Sequence, residues 1–320
     1  MTEAEAIQTF LKLMYQDFLG RLEKLKTTGR KIVHYTSAEN AINILNSKTI
    51  WLRNAALMND YMEIHYGKKQ LINSLERYIS EINSILDKHH TGLMNDILIQ
   101  LLEVHLSTDT HTYFTSFAEH PTDDELGKLS MWRAYGGPVA GVAIVFNSEV
   151  FEDGKLQKLS TAFRPVIYGP REFEDRFEHL MFTLKENQDL ISLIPRQISH
   201  SILFHVFNDL TLITKHPGFQ EEDEWRIIHS PHLFSSTFVT DSIHTIRGIP
   251  QTIYKIELRK QPGLDVPELE LNNLIHRVII GPCQYPRQVA DAIATALDRA
   301  HVKEPYNRIA ISDIPLRQQG

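Results

Sequence analysis

The sequence predicts an α+β chain built on one central, largely antiparallel sheet, and three observations lead there. Short β-branched and apolar runs such as TIWLRN and VAGVAIVFN recur along the chain. Two long stretches, about 60–106 and 171–215, carry Leu and Ile at helical spacing and interrupt those runs. No repeat, low-complexity tract or linker divides the chain. The expected organisation is an N-terminal amphipathic helix within residues 1–30, then a single α+β domain over 31–320 with those two helical inserts.

Residues 3–27 place Ile7, Phe10, Leu11, Met14, Phe18 and Leu22 at steps of three and four, one face of a helix. Thr27-Thr28-Gly29 ends it. KIVHYTS (31–37) is a strand whose Ser37 caps the helix AENAINILNS. TIWLRN (49–54) is a second strand. THTYFTSFAE (110–119) is a strand on its aromatic and β-branched content. A short helix is expected around 124–135, stopped by Gly136-Gly137. VAGVAIVFN (139–147) is apolar enough for a central strand. Residues 155–169 form one or two strands. WRIIHSP (225–231), TIYKIELR (252–259) and LIHRVIIGP (274–282) are strands. PRQVADAIATALDRAH (286–301) is an amphipathic helix, and residues 307–317 close as a strand.

The chain has 320 residues, 42% of them apolar, and a formal net charge of -7. That acidity and the lack of a basic run disfavour a phosphate backbone as the main partner. Cys283 is the single cysteine. It excludes an internal disulfide framework and fits a reducing cytoplasm. No signal peptide or membrane span is expected. The 16 histidines show no HExxH pattern, and no metal is expected. P-loop, GxGxxG and GxSxG motifs are missing from the sequence.

Three segments concentrate chemistry. EEDEWRII (221–228) sets Glu222 and Glu224 two apart. On a strand they project to one side, with Arg226 as an anion contact or as their salt-bridge partner. HYTS offers the His34 imidazole and the hydroxyls of Tyr35, Thr36 and Ser37 where a strand gives way to a helix, a cradle for ribose or phosphate. YFTSFAE and LSMWRAYGG supply Ser116, Ser130, Trp132, Arg133 and Tyr135. The rings suit a flat heterocycle, and Arg133 suits an anion. Each has a plainer reading: a solvated acidic turn, a satisfied core histidine, rings packing a helix onto a sheet.

The ordered motifs HYTS, LMNDYMEIHYG, FTSFAE, LSMWRAYGG, GVAIVF, EEDEWRII, VIIGP and IAISDIPLR resemble the bacterial family catalogued as domain of unknown function 2971, over roughly 31–317. Here LMNDYME stands where members more often read FNDP and an acidic residue, which affects the turn at Asn59-Asp60. Ser116 falls where many members carry cysteine. More distantly, His34-Tyr35-Thr36, Thr115-Ser116 with Ser130 and Tyr135, and Glu222-x-Glu224-Trp225 resemble the three signatures of ADP-ribosyltransferases, with Tyr35 in place of the usual glycine. That likeness implies a split sheet, NAD as substrate, His34 on the ribose, Tyr135 stacked on nicotinamide with Trp132 as the alternative ring, and Glu224 on the ribose 2′-hydroxyl.

The expected activity is therefore that of an NAD-consuming ADP-ribosyltransferase or glycohydrolase, such as a toxin or phage-defence effector. Its acceptor would be protein, nucleic acid, small molecule or water. Neutralising Glu224 is expected to leave the melting temperature nearly unchanged. The alternatives are a non-catalytic nucleotide-binding or protein-interaction module, whose helical inserts are partner surfaces, and a metal-dependent hydrolase.

Overall fold

The computed structural model describes residues 1–58, 63–137, 139–152 and 154–316, the side chains of 63 and 106–110 excepted. The Asn59-Asp60 turn lies outside the described residues. In chain order, α1 (Glu3–Met14) and α2 (Gln16–Thr27) lead to β1 (Lys31–Ser37), α3 (Ala38–Ser47) and β2 (Thr49–Asn54). Then come α4 (Glu63–Leu86), α5 (Leu93–His111), β3 (Tyr113–His120), α6 (Leu129–Tyr135) and β4 (Gly141–Phe146). β5 (Ala162–Pro165) and β6 (Ile167–Tyr168) precede α7 (Gly169–Glu186), α8 (Gln188–Ser192), α9 (Arg196–Ile213) and β7 (Thr214–Lys215). The chain closes with β8 (Glu224–His229), β9 (Val239–Ile246), β10 (Ile249–Glu257), α10 (Leu271–Leu274), β11 (Ile275–Ile280), α11 (Pro286–Arg299) and β12 (Ile309–Ile311).

These elements gather into two compact units. The first comprises Met1–Glu23, Ala55–Thr112 and Pro165–Gln220. It is helical, with β6 and β7 as a small parallel pair. A Cβ at Gly67 of α4 would sit 2.0 Å from the Thr211 carbonyl oxygen of α9, so only glycine lets these helices approach so closely. Phe177 stacks on Phe173 at 6.2 Å and on Phe207 at 6.0 Å.

The second unit comprises Lys24–Asn54, Tyr113–Arg164 and Glu221–Gly320 and holds the large sheet. Among the described residues its order is β12-β11-β4-β1-β3-β2-β10-β9, with β8 on β3 and β5 on β8. All these neighbours whose register is known run antiparallel except β11 and β12. The α+β class with a mostly antiparallel open sheet is as the sequence predicts. β3 is the branch point. Ala118 pairs with both Val33 and Glu224, and Phe114 with both Arg53 and Ile228. β1 and β2 therefore share one edge of β3, and β8 takes the other. The shared edge opens between Thr115 and Phe117, where β1 and β2 part.

Several boundaries differ from expectation. The first helix is two, broken at Tyr15, where neither glycine nor proline marks the break. α5 runs to His111, so β3 starts only at Tyr113. The segment expected to begin a helix at 124 is a loop as far as Lys128, because the Asp124 carboxylate accepts from Leu126 N (2.8 Å) and Gly127 N (3.2 Å). Lys155–Leu159 is a short 3₁₀ helix rather than strand. The final strand shrinks to Ile309–Ile311. β9 is not marked by the sequence pattern. Its polar positions Asp241, His244 and Thr245 mask the alternation. The tight turn Arg247-Gly248, left-handed at both residues (φ 52° and 82°), joins it to β10.

Candidate functional site

β8 begins a residue later than the acidic run implies. Glu222 ends a 3₁₀ helix (Pro217–Glu222), and Asp223 adopts φ 45° before the strand starts at Glu224. The left-handed residue breaks the two-residue periodicity, so Glu222 and Glu224 do not share a strand face as expected. Lys128 holds this kink. Its Nζ donates to Asp223 Oδ2 at 2.6 Å and to the Glu221 carbonyl at 3.1 Å. Asp223 O accepts from Glu119 N at 3.2 Å.

Within β8 alternation does hold. Glu224 opposes Ala118 and Arg226 opposes Ser116, so all four residues lie on one sheet face. Arg226 Nε donates to Glu224 Oε1 at 2.8 Å, and its Nη2 to Oε2 at 3.2 Å. Ser116 Oγ adds a 2.5 Å bond to Oε1. Glu224 is 2% exposed and Arg226 1%. The guanidinium also lies 4.7 Å above the centroid of the Phe114 ring. The acid is therefore enclosed and charge-matched. Trp225, on the other face, is fully buried, stacks on Phe163 at 4.7 Å and donates Nε1 to Glu119 Oε1 at 3.0 Å.

Val33 opposes Ala118, which puts Val33 and Tyr35 on the Glu224 face and His34 on the opposite one. The His34 ring tilts against Phe117 at 5.6 Å. Its Nδ1 meets the Ser116 carbonyl at 2.9 Å, on the β3 edge left free where β1 and β2 part. Burial lowers its pKa, partly offset by that carbonyl. His34 thus reaches the Glu224 cluster through the Ser116 backbone and not from the same side.

The rings of LSMWRAYGG divide by burial. Trp132 is 4% exposed and donates Nε1 to the Leu126 carbonyl at 2.9 Å. A Cβ on Gly127, Gly141 or Gly281 would come within 2.7, 3.0 or 2.8 Å of its ring. Tyr35 meets it edge-on at 4.9 Å. Trp132 is therefore a core ring enclosed by glycines and offers no free face for stacking. Tyr35 accepts from Lys128 N at 2.9 Å, and burial pushes its hydroxyl up to about 12. Thr36 is buried, Ser130 half-buried and Arg133 exposed. Tyr135 packs at the margin of this core, half-buried, and donates its hydroxyl to Glu222 Oε1 at 2.8 Å.

The structure thus joins Ser116, Glu224 and Arg226 in one cluster and Tyr135 and Glu222 in another. Lys128 and Glu119 support both strand ends, and nothing in their sequence spacing marks them. Among the described residues, no group of three or more His, Cys, Asp or Glu could hold a metal ion. No described helix is long and apolar enough to cross a membrane.

An α+β chain with two separately held carboxylates, Glu222 and Glu224, beside a branched sheet is the class these observations define. The model of a family described as a protein of unknown function (DUF2971) matches residues 131–227. The match runs from α6 into β8 and takes in Trp132, Tyr135, Glu222, Glu224 and Arg226. The HYTS, FTSFAE, VIIGP and IAISDIPLR motifs lie outside it. No curated protein and no solved structure matches the chain.

Proposed function

We propose that this protein consumes NAD, cleaving the bond between ribose and nicotinamide, with Glu222 as the carboxylate that meets the ribose and Tyr135 as the ring beside it. What supports this reading is the Tyr135–Glu222 bond itself: two of the residues singled out in sequence meet at 2.8 Å, both half-buried and therefore within reach of a ligand. A carboxylate there stabilises positive charge developing at the ribose carbon as the C–N bond breaks. The bonding pair leaves with nicotinamide. Water or another nucleophile forms the new bond at that carbon and gives its proton to a base. Glu224 takes a positioning role, because Arg226 and Ser116 occupy its oxygens.

The test is nicotinamide release by wild type and Glu222→Gln. Loss in the variant at unchanged melting temperature supports the reading, and equal release by both removes it. The enclosure of Glu224 favours a second reading, a nucleotide-binding module without turnover. It predicts thermal stabilisation by NAD or ADP-ribose with no product formed.

A further inference from the structure

The large sheet ends in β9, eight residues long, which has β10 as its one neighbour among the described residues. The other strands with a single neighbour are short, three residues in β12 and four in β5. A long strand with one edge unpaired is a template for another strand, and proteins blunt such edges with lysine, proline or a bulge. β9, VTDSIHTI, holds neither lysine nor proline. Its register with β10 runs unbroken from Val239 opposite Ile256 to Ile246 opposite Ile249. Among the described residues, no backbone bond outside that ladder reaches it.

The Arg247-Gly248 turn fixes which backbone groups are free. In a two-residue hairpin the closing pair, here Ile246 and Ile249, is hydrogen-bonded, and pairs alternate from there. Ser242 and His244 therefore spend their N–H and C=O groups on β10, while those of Asp241, Ile243 and Thr245 point away from it. Pro250 agrees with this phase, since it lies opposite Thr245, where the ladder needs no N–H. Asp241, Ile243 and Thr245 are also exposed, Ile243 to 77%. Two registers about a two-fold axis would pair seven residues of β9 with a second β9: one centred on Ser242 pairs 239–245, and one centred on Ile243 pairs 240–246. The first sets the Asp241 carboxylate against Ile243. The second sets Ile243 on Ile243 and Asp241 on Thr245 at both ends, so a hydroxyl donor faces each carboxylate. On the opposite face it sets Ser242 against His244. This second register is complementary to itself.

We propose that β9 pairs antiparallel with β9 of a second copy of this chain, about a two-fold axis at Ile243, so that two large sheets join edge to edge. The pairing uses the free backbone groups of Asp241, Ile243 and Thr245 and covers the exposed isoleucine. A single strand edge is a small interface, so the dimer forms and separates with concentration. The proposal does not depend on NAD turnover.

The experiment is sedimentation equilibrium of the full chain from about 1 to 200 µM, with Thr245→Pro and Ile243→Lys alongside. Thr245→Pro removes an N–H that points away from β10, and Ile243→Lys sets like charges face to face. The expected result is a wild-type mass that rises from 36.9 kDa towards twice that value. The dimer dissociation constant should rise roughly tenfold or more in each variant. Thermal melting confirms that each variant folds, and Ile243→Lys, which alters only an exposed side chain, carries the test if Thr245→Pro does not. A wild type that stays monomeric throughout would overturn the proposal and leave the edge to a strand of another protein. Dimerisation undiminished in folded Ile243→Lys would overturn it as well, because the contact would then lie elsewhere.

Discussion

Glu224 and Arg226, two residues apart on one face of β8, form a two-point ion pair that is almost wholly shielded from water. Taking one partner from such a pair leaves a buried charge without compensation. Replacing both by apolar groups of similar size is often tolerated. This overturns the expectation that neutralising Glu224 leaves the melting temperature unchanged. Glu224→Gln is predicted to cost about 3–5 kcal/mol, and Glu224→Leu with Arg226→Met to recover most of it. Denaturant titration of the three proteins checks this. Equal midpoints for wild type and Glu224→Gln would count against the pair's burial.

His34 and His229 give the protein an acid-sensitive stability. Burial lowers both pKa values, and the carbonyls of Ser116 and Ser160 offset this only in part. The unfolded chain takes up a proton near pH 6.5, where the native imidazoles resist it. Proton uptake thus favours unfolding. The stability they contribute is whole above about pH 7 and is lost as pH falls below roughly 6.5. Urea midpoints should drop between pH 7.5 and 5.5, and His229→Gln should flatten that slope. An unaltered slope would show that His229 is not held neutral.

The enclosure of Trp132 predicts sensitivity at a distant glycine. Gly281→Ala would place a methyl 2.8 Å from that ring and 3.1 Å from the Gly141 carbonyl oxygen. Overpacking of this kind costs about 1–3 kcal/mol. The near-ultraviolet signal of tryptophan and the melting temperature should both change. A silent substitution would mean that the ring yields freely.

The fold was legible wherever apolar periodicity was strong. The apolar pattern marks β1 and β2 to the residue, α3 by its spacing and the Ser37 cap, and α11 by spacing alone. What escaped depended on contacts distant in sequence. The left-handed Asp223 turns Glu222 off the strand, and its clamp is Lys128, ninety-five residues earlier. The face of His34 follows from the β1–β3 register, which no local pattern encodes. The core role of Trp132 rests on Gly127, Gly141 and Gly281, which meet only in the folded chain.

Lys128 offers a way to loosen the acidic turn without unfolding the sheet. Its ion pair with Asp223 is partly exposed, so it contributes at most about 1 kcal/mol. Lys128→Met should leave the melting temperature almost unchanged while releasing Glu222 from Tyr135. Quenching of Tyr135 by its carboxylate partner should fall, as read from tyrosine fluorescence against a Tyr135→Phe control. Fluorescence identical to wild type would mean that the turn holds without Lys128.

Nicotinamide release from NAD, followed for wild type, Glu222→Gln and Tyr135→Phe with cell lysate as a source of acceptors, is the most direct measurement. The account predicts release by wild type and a loss of roughly a hundredfold in Glu222→Gln, with melting temperatures preserved. No release by folded wild type in the presence of lysate, or release undiminished in Glu222→Gln, would contradict it.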